Sequence, residues 1–193
     1  MVEAHQFVYQ TPYNYLQRER LTEAKSDYLN GQIIAMAGGS FNHNMIQGNV
    51  TRRLATALEN RPCVDFTADM KVRVGKANQF RYPDAFALCD DIEFYDSTHD
   101  AVKNPQLIVE VLSQSTERVD RNEKFADYRL IESFSEYLLL SQNEIKAELF
   151  QKNAQGEWSG MVLTGEDEQV NLQSIDVDLR LGDFYDKVDF SLT

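Results

Sequence analysis

The chain is poor in cysteine and histidine and has no long apolar run, and each shortage excludes a class of protein. Its two cysteines, Cys63 and Cys89, stand in apolar contexts without the spacing of a metal site. We therefore expect both to be reduced core residues. The three histidines, His5, His43 and His99, are scattered, which argues against a zinc centre. No stretch approaches the roughly 18 consecutive apolar residues that a membrane span requires.

The amino-terminal segment also lacks the features of an export signal. Residues 1–5, Met-Val-Glu-Ala-His, have neither a basic start nor an apolar core. We therefore expect a cytoplasmic protein. A length of 193 residues suits one domain with a substantial buried core, and we expect residues 1–193 to form that single domain.

Positive charge is scarce too, and this bears on nucleic-acid binding. The chain has 19 lysines and arginines against 31 aspartates and glutamates, a net charge of −12. Proteins that bind phosphate backbones normally present a basic surface. The acids are concentrated in residues 132–193, whereas residues 43–81 have 7 basic and 3 acidic side chains. On a strand, Lys71 and Arg73 would share one face just before Asp84, either as phosphate contacts or as an ordinary solvated surface.

Residue patterns predict helices and strands that are interspersed along the chain. Thr11 followed by Pro12 predicts a helix that extends to about Ala24. After the Gly-Gly-Ser of residues 38–40, a second helix is predicted by apolar residues at four-residue intervals, namely Ile46, Val50, Leu54 and Leu58. Strands are expected near residues 32–36, 64–67, 70–75, 80–88, 106–112, 136–140, 146–151 and 161–163, with an exposed loop at 90–104 and closing strands in 170–190.

A further helix is predicted from Asp120 to Glu132. Asp120 and Glu123 have the spacing of a capping box at its start. Asp120, Lys124 and Tyr128 recur every four residues, so they share one face of that helix.

Two acids interrupt apolar strand sequences. Asp84 follows a proline and precedes Ala-Phe-Ala-Leu, and Glu110 lies within Leu-Ile-Val-Glu-Val-Leu. A buried carboxylate must be hydrogen-bonded, paired or metal-bound, because desolvation strongly destabilises its charge. Taken singly, Asp84 suits a turn and Glu110 an edge strand. Together with Lys124, which follows on the next helix, the acids indicate a divalent cation and an anionic substrate.

An ordered series of motifs extends from about residue 12 to about residue 150. The motifs are residues 25–31, 35–40, 42–44, 69–73, 82–84, 110–113, 115–116, 120–124 and 136–139. In this order they resemble the Uma-type family of restriction endonucleases, a branch of the PD-(D/E)XK nuclease superfamily. The resemblance implies an α/β fold with a restriction-endonuclease-like core, in which helices flank a mixed β-sheet.

The resemblance also implies a Mg²⁺- or Mn²⁺-dependent endonuclease. Asp84, Glu110 and the carbonyl of Val111 would hold the metal. The superfamily lysine would stand at Leu112, and the family likeness places it instead at Lys124, whose ammonium would stabilise charge developing on the phosphate. An ordinary lysine is protonated at neutral pH, which suits this role better than general-base catalysis. Further candidates for substrate contacts or for support of the site are Asp27, which stands where the family usually has glutamate, His43, Lys71, Arg73, Asp120 and Tyr128.

Alternative functions stay open at this point. A binding module of the same fold without turnover is favoured by the net charge of −12 and opposed by the complete set of Asp84, Glu110 and Lys124. A glycoside hydrolase with two carboxylates would need neither metal nor lysine. The substrate of a nuclease could be DNA or RNA, with DNA preferred and no membrane involved. Cutting both strands of a duplex requires two active sites, so we expect a homodimer.

Overall fold

The computed structural model describes residues 8–192. His5 and the amino-terminal segment that was expected to lack an export signal lie outside these residues. The helices are α1 (Pro12–Glu19), α2 (Phe41–Leu58) and α3 (Phe125–Tyr128), and a π-helical segment, Val119–Lys124, leads directly into α3. The strands are β1 (Ser26–Leu29), β2 (Gln32–Ala35), β3 (Val64–Thr67), β4 (Lys71–Val74), β5 (Gln79–Arg81), β6 (Ala85–Leu88), β7 (Ala101–Val102), β8 (Leu107–Leu112), β9 (Glu136–Ser141), β10 (Lys146–Lys152), β11 (Trp158–Thr164), β12 (Gln169–Leu172) and β13 (Val177–Arg180). Within residues 8–192, no helix is both long and apolar enough to cross a bilayer.

A six-stranded sheet positions the candidate site. Its order is β11-β10-β9-β8-β6-β3, with β8 and β9 parallel and the other neighbours antiparallel. Ala85 of β6 lies opposite Val109 of β8, and continuing this register by one residue places Asp84 opposite Glu110. The two acids noted in the sequence therefore occupy opposing positions at one end of two neighbouring strands.

Helix α2 covers one face of this sheet. Its predicted stripe is confirmed, since Ile46, Val50, Leu54 and Leu58 are all buried and pack in one cluster with residues of β6, β8, β9 and β10. Ser40 caps the helix by accepting a hydrogen bond from the main-chain N–H of His43. This packing holds the first turn of α2 beside the end of β6.

The opposite face is covered by the π-helical segment and α3. Tyr128, Phe134 and Tyr137 are fully buried, with ring centroids 5.8–5.9 Å apart, and Tyr137 packs edge to face against the other two rings. This aromatic packing fixes the short helix over β8. It differs from the predicted helix at residues 120–132, because the segment starts at Val119 in π geometry, ends at Tyr128 and has no side-chain cap at its start.

The predicted strand at residues 80–88 is two strands that belong to different sheets. β5 lies in a five-stranded sheet of order β2-β1-β5-β4-β7, whereas β6 lies in the six-stranded sheet. The chain leaves one sheet and enters the other across Tyr82, Pro83 and Asp84. Pro83 has no N–H to donate to a ladder, so pairing is interrupted there. The break places Asp84 at the junction of the two sheets.

The expectation of reduced cysteines is wrong, because Cys63 and Cys89 form a disulfide. Val64 of β3 pairs with Leu88 of β6, so the residues one step further out, Cys63 and Cys89, face each other. The sequence could not show this, since the pairing depends on the register between two strands more than twenty residues apart. The bond joins the end of β6 remote from Asp84 to the segment that follows α2.

Candidate active site

The carboxylate of Asp84 is held by main chain from one element and side chains from another. Its Oδ2 accepts a hydrogen bond from the N–H of Val111 in β8 at 2.7 Å. Its Oδ1 accepts one from Nε2 of Gln47 at 3.0 Å and lies 3.1 Å from Nε2 of His43. His43 and Gln47 are four residues apart on α2 and so share one helix face. The first turns of α2 therefore orient Asp84 against the end of β8.

Glu110 contacts the π-helical segment on the other side. This glutamate is 2% exposed, and its Oε1 lies 2.9 Å from Nζ of Lys124 and accepts a hydrogen bond from the Tyr128 hydroxyl at 3.1 Å. Nζ of Lys124 also lies 2.9 Å from Oδ1 of Asp120. The predicted shared face of Asp120, Lys124 and Tyr128 is confirmed, and it faces Glu110.

Burial and neighbouring charges shift the pKa values of these groups. Burial raises the pKa of Glu110 to about 8, because Lys124 only partly offsets the desolvation and the repulsion from Asp120 and Asp84. Burial opposes the charged form of Lys124, but Glu110 and Asp120 outweigh it and raise the pKa of the ammonium. For His43, burial lowers the pKa, yet the hydrogen bond and the charge of Asp84 raise it more, and the net shift is upward. Lys124 is thus a permanent cation at neutral pH.

Asp27 lies in a neighbouring ion cluster. It accepts a hydrogen bond from the N–H of Tyr82 at 3.1 Å, and its Oδ2 lies 3.3 Å from Nη1 of Arg81. Arg81 is 3% exposed and also pairs with Asp127 of α3 at 2.8 Å. Asp27 therefore pairs with Arg81 in this neighbouring cluster. The charge of Asp27 nevertheless helps to raise the pKa of Lys124.

Lys71 and Arg73 make their contacts with groups other than Asp84 and Glu110. Lys71 is 5% exposed, with Nζ 3.1 Å from Asp100 and 3.3 Å from the Tyr82 hydroxyl. The guanidinium of Arg73 lies over the ring of Phe80, 4.6 Å from its centroid. Lys71 is buried, so it does not belong to a solvated surface. Both cations contact residues of the five-stranded sheet or residues next to it.

Three of the seven basic residues in residues 43–81 are neutralised by acids from the end of the chain. These three arginines lie on α2 or just after it, and each pairs with an aspartate within residues 176–186. The pairs are Arg52–Asp186, Arg53–Asp183 and Arg61–Asp176, at 3.2, 3.6 and 2.9 Å. The segment is therefore not a free basic footprint for phosphates.

Two residues at the site were missed in the sequence. Gln47 holds Asp84, and the signal for it was its position one turn after His43 on the predicted helix. Arg81 neutralises Asp27 and Asp127, and no local pattern distinguishes it from a surface arginine.

The donor chemistry of the site fits a hard cation. Asp84 and Glu110 supply carboxylate oxygens, and the N–H of Val111 points to Asp84, so its carbonyl points to the same side of an extended strand. Burial and then the repulsion from Asp120 and Asp84 raise the pKa of Glu110, and a bound cation would favour the charged form of this carboxylate. Among residues 8–192, no group of three or more His, Cys, Asp or Glu side chains forms a metal cage. Mg²⁺ retains several waters and binds through one or two carboxylates, so a cage is not required.

Comparison with known proteins identifies the family. The Uma2 model, described as "Putative restriction endonuclease", matches residues 12–182. The chain belongs to the Uma2 family. This Uma2 protein is 37% identical over 160 residues to the uncharacterized protein sll1609 of Synechocystis sp. (strain ATCC 27184 / PCC 6803 / Kazusa), covering 83% of this chain and 90% of the relative. It is 34% identical over 148 residues to slr1290 of the same organism, covering 77% of each.

A solved structure shows the same fold. It is described as the crystal structure of a putative nuclease belonging to DUF820 from Anabaena variabilis ATCC 29413. The TM-score is 0.73 at 16% identity, covering 92% of the Uma2 chain and 98% of the other. The predicted α/β fold, a mixed sheet flanked by helices, is thereby confirmed.

Proposed function

We propose that this Uma2 protein is a metal-dependent endonuclease that hydrolyses phosphodiester bonds in DNA. The observation that carries the proposal is the contact of the Lys124 ammonium with buried Glu110, 2.9 Å away, at the strand end where Asp84 stands opposite. Two carboxylates and a permanent cation form the minimum set for stabilising a phosphoryl transition state. The family description supports the same activity class.

Each residue has a distinct role in the proposed reaction. Asp84, Glu110 and the Val111 carbonyl would hold Mg²⁺ or Mn²⁺, which when bound supplies charge neutralisation at the phosphate and lowers the pKa of a bound water. Lys124 stabilises the negative charge that develops on the phosphoryl oxygens. Asp120 and the Tyr128 hydroxyl fix Lys124 and Glu110, since each contacts one of them within about 3 Å.

The test is a cleavage assay on supercoiled, nicked and single-stranded DNA and on RNA, with Mg²⁺, Mn²⁺ or a chelator. We expect cleavage that requires the metal and is abolished by Glu110→Gln, which keeps the shape of the side chain and removes its charge. Glu59→Gln, at the exposed end of α2, is the matched control and should retain activity. Cleavage in the chelator, or by Glu110→Gln, would contradict the proposal.

A catalytically silent module of the same fold, which binds nucleic acid or another partner, is the second candidate. The net charge of −12 and the neutralised arginines of α2 favour it over the nuclease, because both weaken the phosphate contacts that a nuclease needs to hold its substrate. Absence of cleavage of every substrate in either metal, by a protein that circular dichroism shows to be folded, would select this alternative.

We also propose that the chain is one domain, that it works as a homodimer and that it acts in the cytoplasm. Two-fold assembly would supply the pair of sites needed for both strands of a duplex. Disulfides are rare in cytosolic proteins, so the Cys63–Cys89 bond is the observation that weighs against this location.

A further inference from the structure

Strand β11 is an outer edge of the six-stranded sheet whose free side is uncharged. It pairs with β10 on one side and ends the strand order on the other. Its sequence, Trp-Ser-Gly-Met-Val-Leu-Thr, has no charged residue and no proline, and Met161 and Val162 are 46% and 61% exposed. Edge strands normally carry charges, prolines or bulges that prevent pairing with another chain. β11 lacks the first two of these protections.

The charge of the whole chain indicates what can occupy this edge. Two molecules with a net charge of −12 repel each other over most of their surfaces. They can approach each other at a surface that has no charged side chains, and the seven residues of β11 form such a surface. We propose that β11 pairs with β11 of a second copy of this chain, antiparallel about a two-fold axis, so that the two six-stranded sheets join into one.

The sequence of β11 and its flanks suits one register of this pairing. A two-fold axis at Met161 uses all seven residues of the strand. The pairs would be Trp158 with Thr164, Ser159 with Leu163 and Gly160 with Val162. In the same register Glu157 falls opposite Gly165, and Glu166 falls opposite Gly156. No acid therefore faces an acid, which matters because like charges directly opposite each other destabilise a sheet.

Side-chain shape also suits this register. On β10, the ring of Phe150 lies over Gly160, where a Cβ would come within 2.8 Å of the ring. An aromatic ring over an edge glycine is a known way to stabilise such a strand. Val162 of the second copy would lie opposite Gly160 and so beside this ring. The exposed valine would thereby pack against the edge of the Phe150 ring.

The first test measures the mass of the purified full-length protein by sedimentation equilibrium from about 1 to 100 µM, without DNA or metal. We expect twice the chain mass of 22.2 kDa for the wild type and a shift to the monomer for Val162→Lys, since edge lysines block strand pairing. The matched control is Ile34→Lys on β2, an edge of the other sheet where Ile34 is 45% exposed, and it should stay dimeric. Circular dichroism verifies that both variants are folded.

The second test locates the axis. In the proposed register residue 161 faces its own copy, so Met161→Cys should give a covalent dimer when oxidised glutathione accepts the two electrons of the new disulfide and the two thiols lose their protons. Ile34→Cys should not. A monomer across the whole range, a dimer that Val162→Lys leaves intact, or equal cross-linking at both positions would overturn the proposal. None of these outcomes depends on cleavage, so the proposed nuclease activity stands or fails separately.

Discussion

At the scale of single residues, Lys124 is the group that distinguishes this site from a pair of structural acids. In the proposed function it supplies the cation that the superfamily pattern would place at Leu112, and it contacts both Glu110 and Asp120 at 2.9 Å. We expect Lys124→Met to lower the cleavage rate by about 10²–10³, the usual scale for one lost electrostatic stabiliser. Rates under metal saturation, with thermal unfolding of each variant, provide the measurement.

Two further variants test whether the positive charge itself matters or the side chain and segment that present it. Lys124→Arg should restore little, because a planar guanidinium cannot take the place of a compact ammonium. Leu112→Lys combined with Lys124→Met should recover part of the activity, since residue 112 lies on the same face of β8 as Glu110. Activity near that of the wild type in Lys124→Met alone would mean that another cation serves the reaction.

The sequence pointed to Asp84, Glu110 and Lys124 as candidates because an acid in an apolar strand and a helix repeat are both local patterns. It also placed His43 in the first turn of the second predicted helix, and the structure adds that the ring reaches Asp84. The partners of Lys71 could not be predicted. Asp100 is distant in sequence, and its contact depends on how a long loop folds back beside β4.

At the scale of elements, Arg81 joins two strands to α3. Its guanidinium pairs with Asp27 of β1 and Asp127 of α3 while it is 3% exposed. Arg81→Met should lower the free energy of unfolding by about 3–5 kcal/mol, because two acids would lose their buried partner. Urea unfolding measures this change. Arg118→Met, at a side chain that is 84% exposed, is the control and should have little effect. A small change at Arg81 would show that water or a rearranged cation replaces it.

The Cys63–Cys89 bond is a second link between elements. It closes a loop with a sequence separation of 26 residues. Replacing both cysteines by serine should lower the free energy of unfolding by about 3–4 kcal/mol, because the unfolded chain regains the entropy of that loop. A reducing agent should shift urea unfolding of the wild type by a similar amount and leave the double variant unchanged. Equal stability of the wild type with and without the agent would contradict the expectation.

The sequence predicted the element boundaries that local chemistry sets. It missed the boundaries that depend on tertiary packing. The start of α2 after residues 38–40 and its apolar stripe are visible in the sequence, and both are confirmed. The split between β5 and β6 had a signal in Pro83, yet assigning the halves to separate sheets requires long-range pairing. The π-helical segment has no distinct sequence pattern, because the i, i+4 contact of Asp120 with Lys124 also suits an ordinary helix.

At the scale of the whole molecule, Asp100 links the long loop to both α1 and β4. It pairs with Arg20 of the segment after α1 at 2.9 Å and with Lys71 at 3.1 Å. The hydrogen bond from Arg20 and the charge of Lys71 hold the pKa of Asp100 at about 2. A depressed pKa means that this stabilisation is present above the ordinary value of about 3.9 and is lost as pH falls toward the folded-state value.

Asp100→Asn should therefore destabilise the molecule only where the carboxylate is charged. At pH 7 we expect a loss of about 1–2 kcal/mol in the free energy of unfolding, after allowance for solvent screening, with the difference narrowing below a pH of about 4. Urea unfolding of both proteins between pH 7 and 3 measures it. Asp69→Asn, whose side chain is 80% exposed, is the control. A difference that is constant over this range would show that packing, and not charge, is responsible.

The architecture as a whole was predicted only to the level of its class. Alternating strands and amphipathic helices, together with the family likeness, indicated a mixed sheet flanked by helices, and this is confirmed. The distribution of strands among three sheets, of five, six and two strands, was not foreseen. Nor was the pairing of the acidic tail with the arginines of α2, since the sum of charges in a segment does not specify their partners.

The cation of the site and its acids stand on separate pieces of the scaffold. Asp84 and Glu110 are fixed by a sheet and by α2, whereas Lys124 belongs to a six-residue helical segment in which the Asp120 carbonyl accepts a hydrogen bond from the Tyr137 hydroxyl. In the superfamily pattern one strand carries both an acid and the lysine, so neither can move without the other. Under the proposed function, a ligand that shifts the short segment would move Lys124 away from Glu110 and leave every strand in place. A lysine on a separate segment would then allow a control of activity that a shared strand does not.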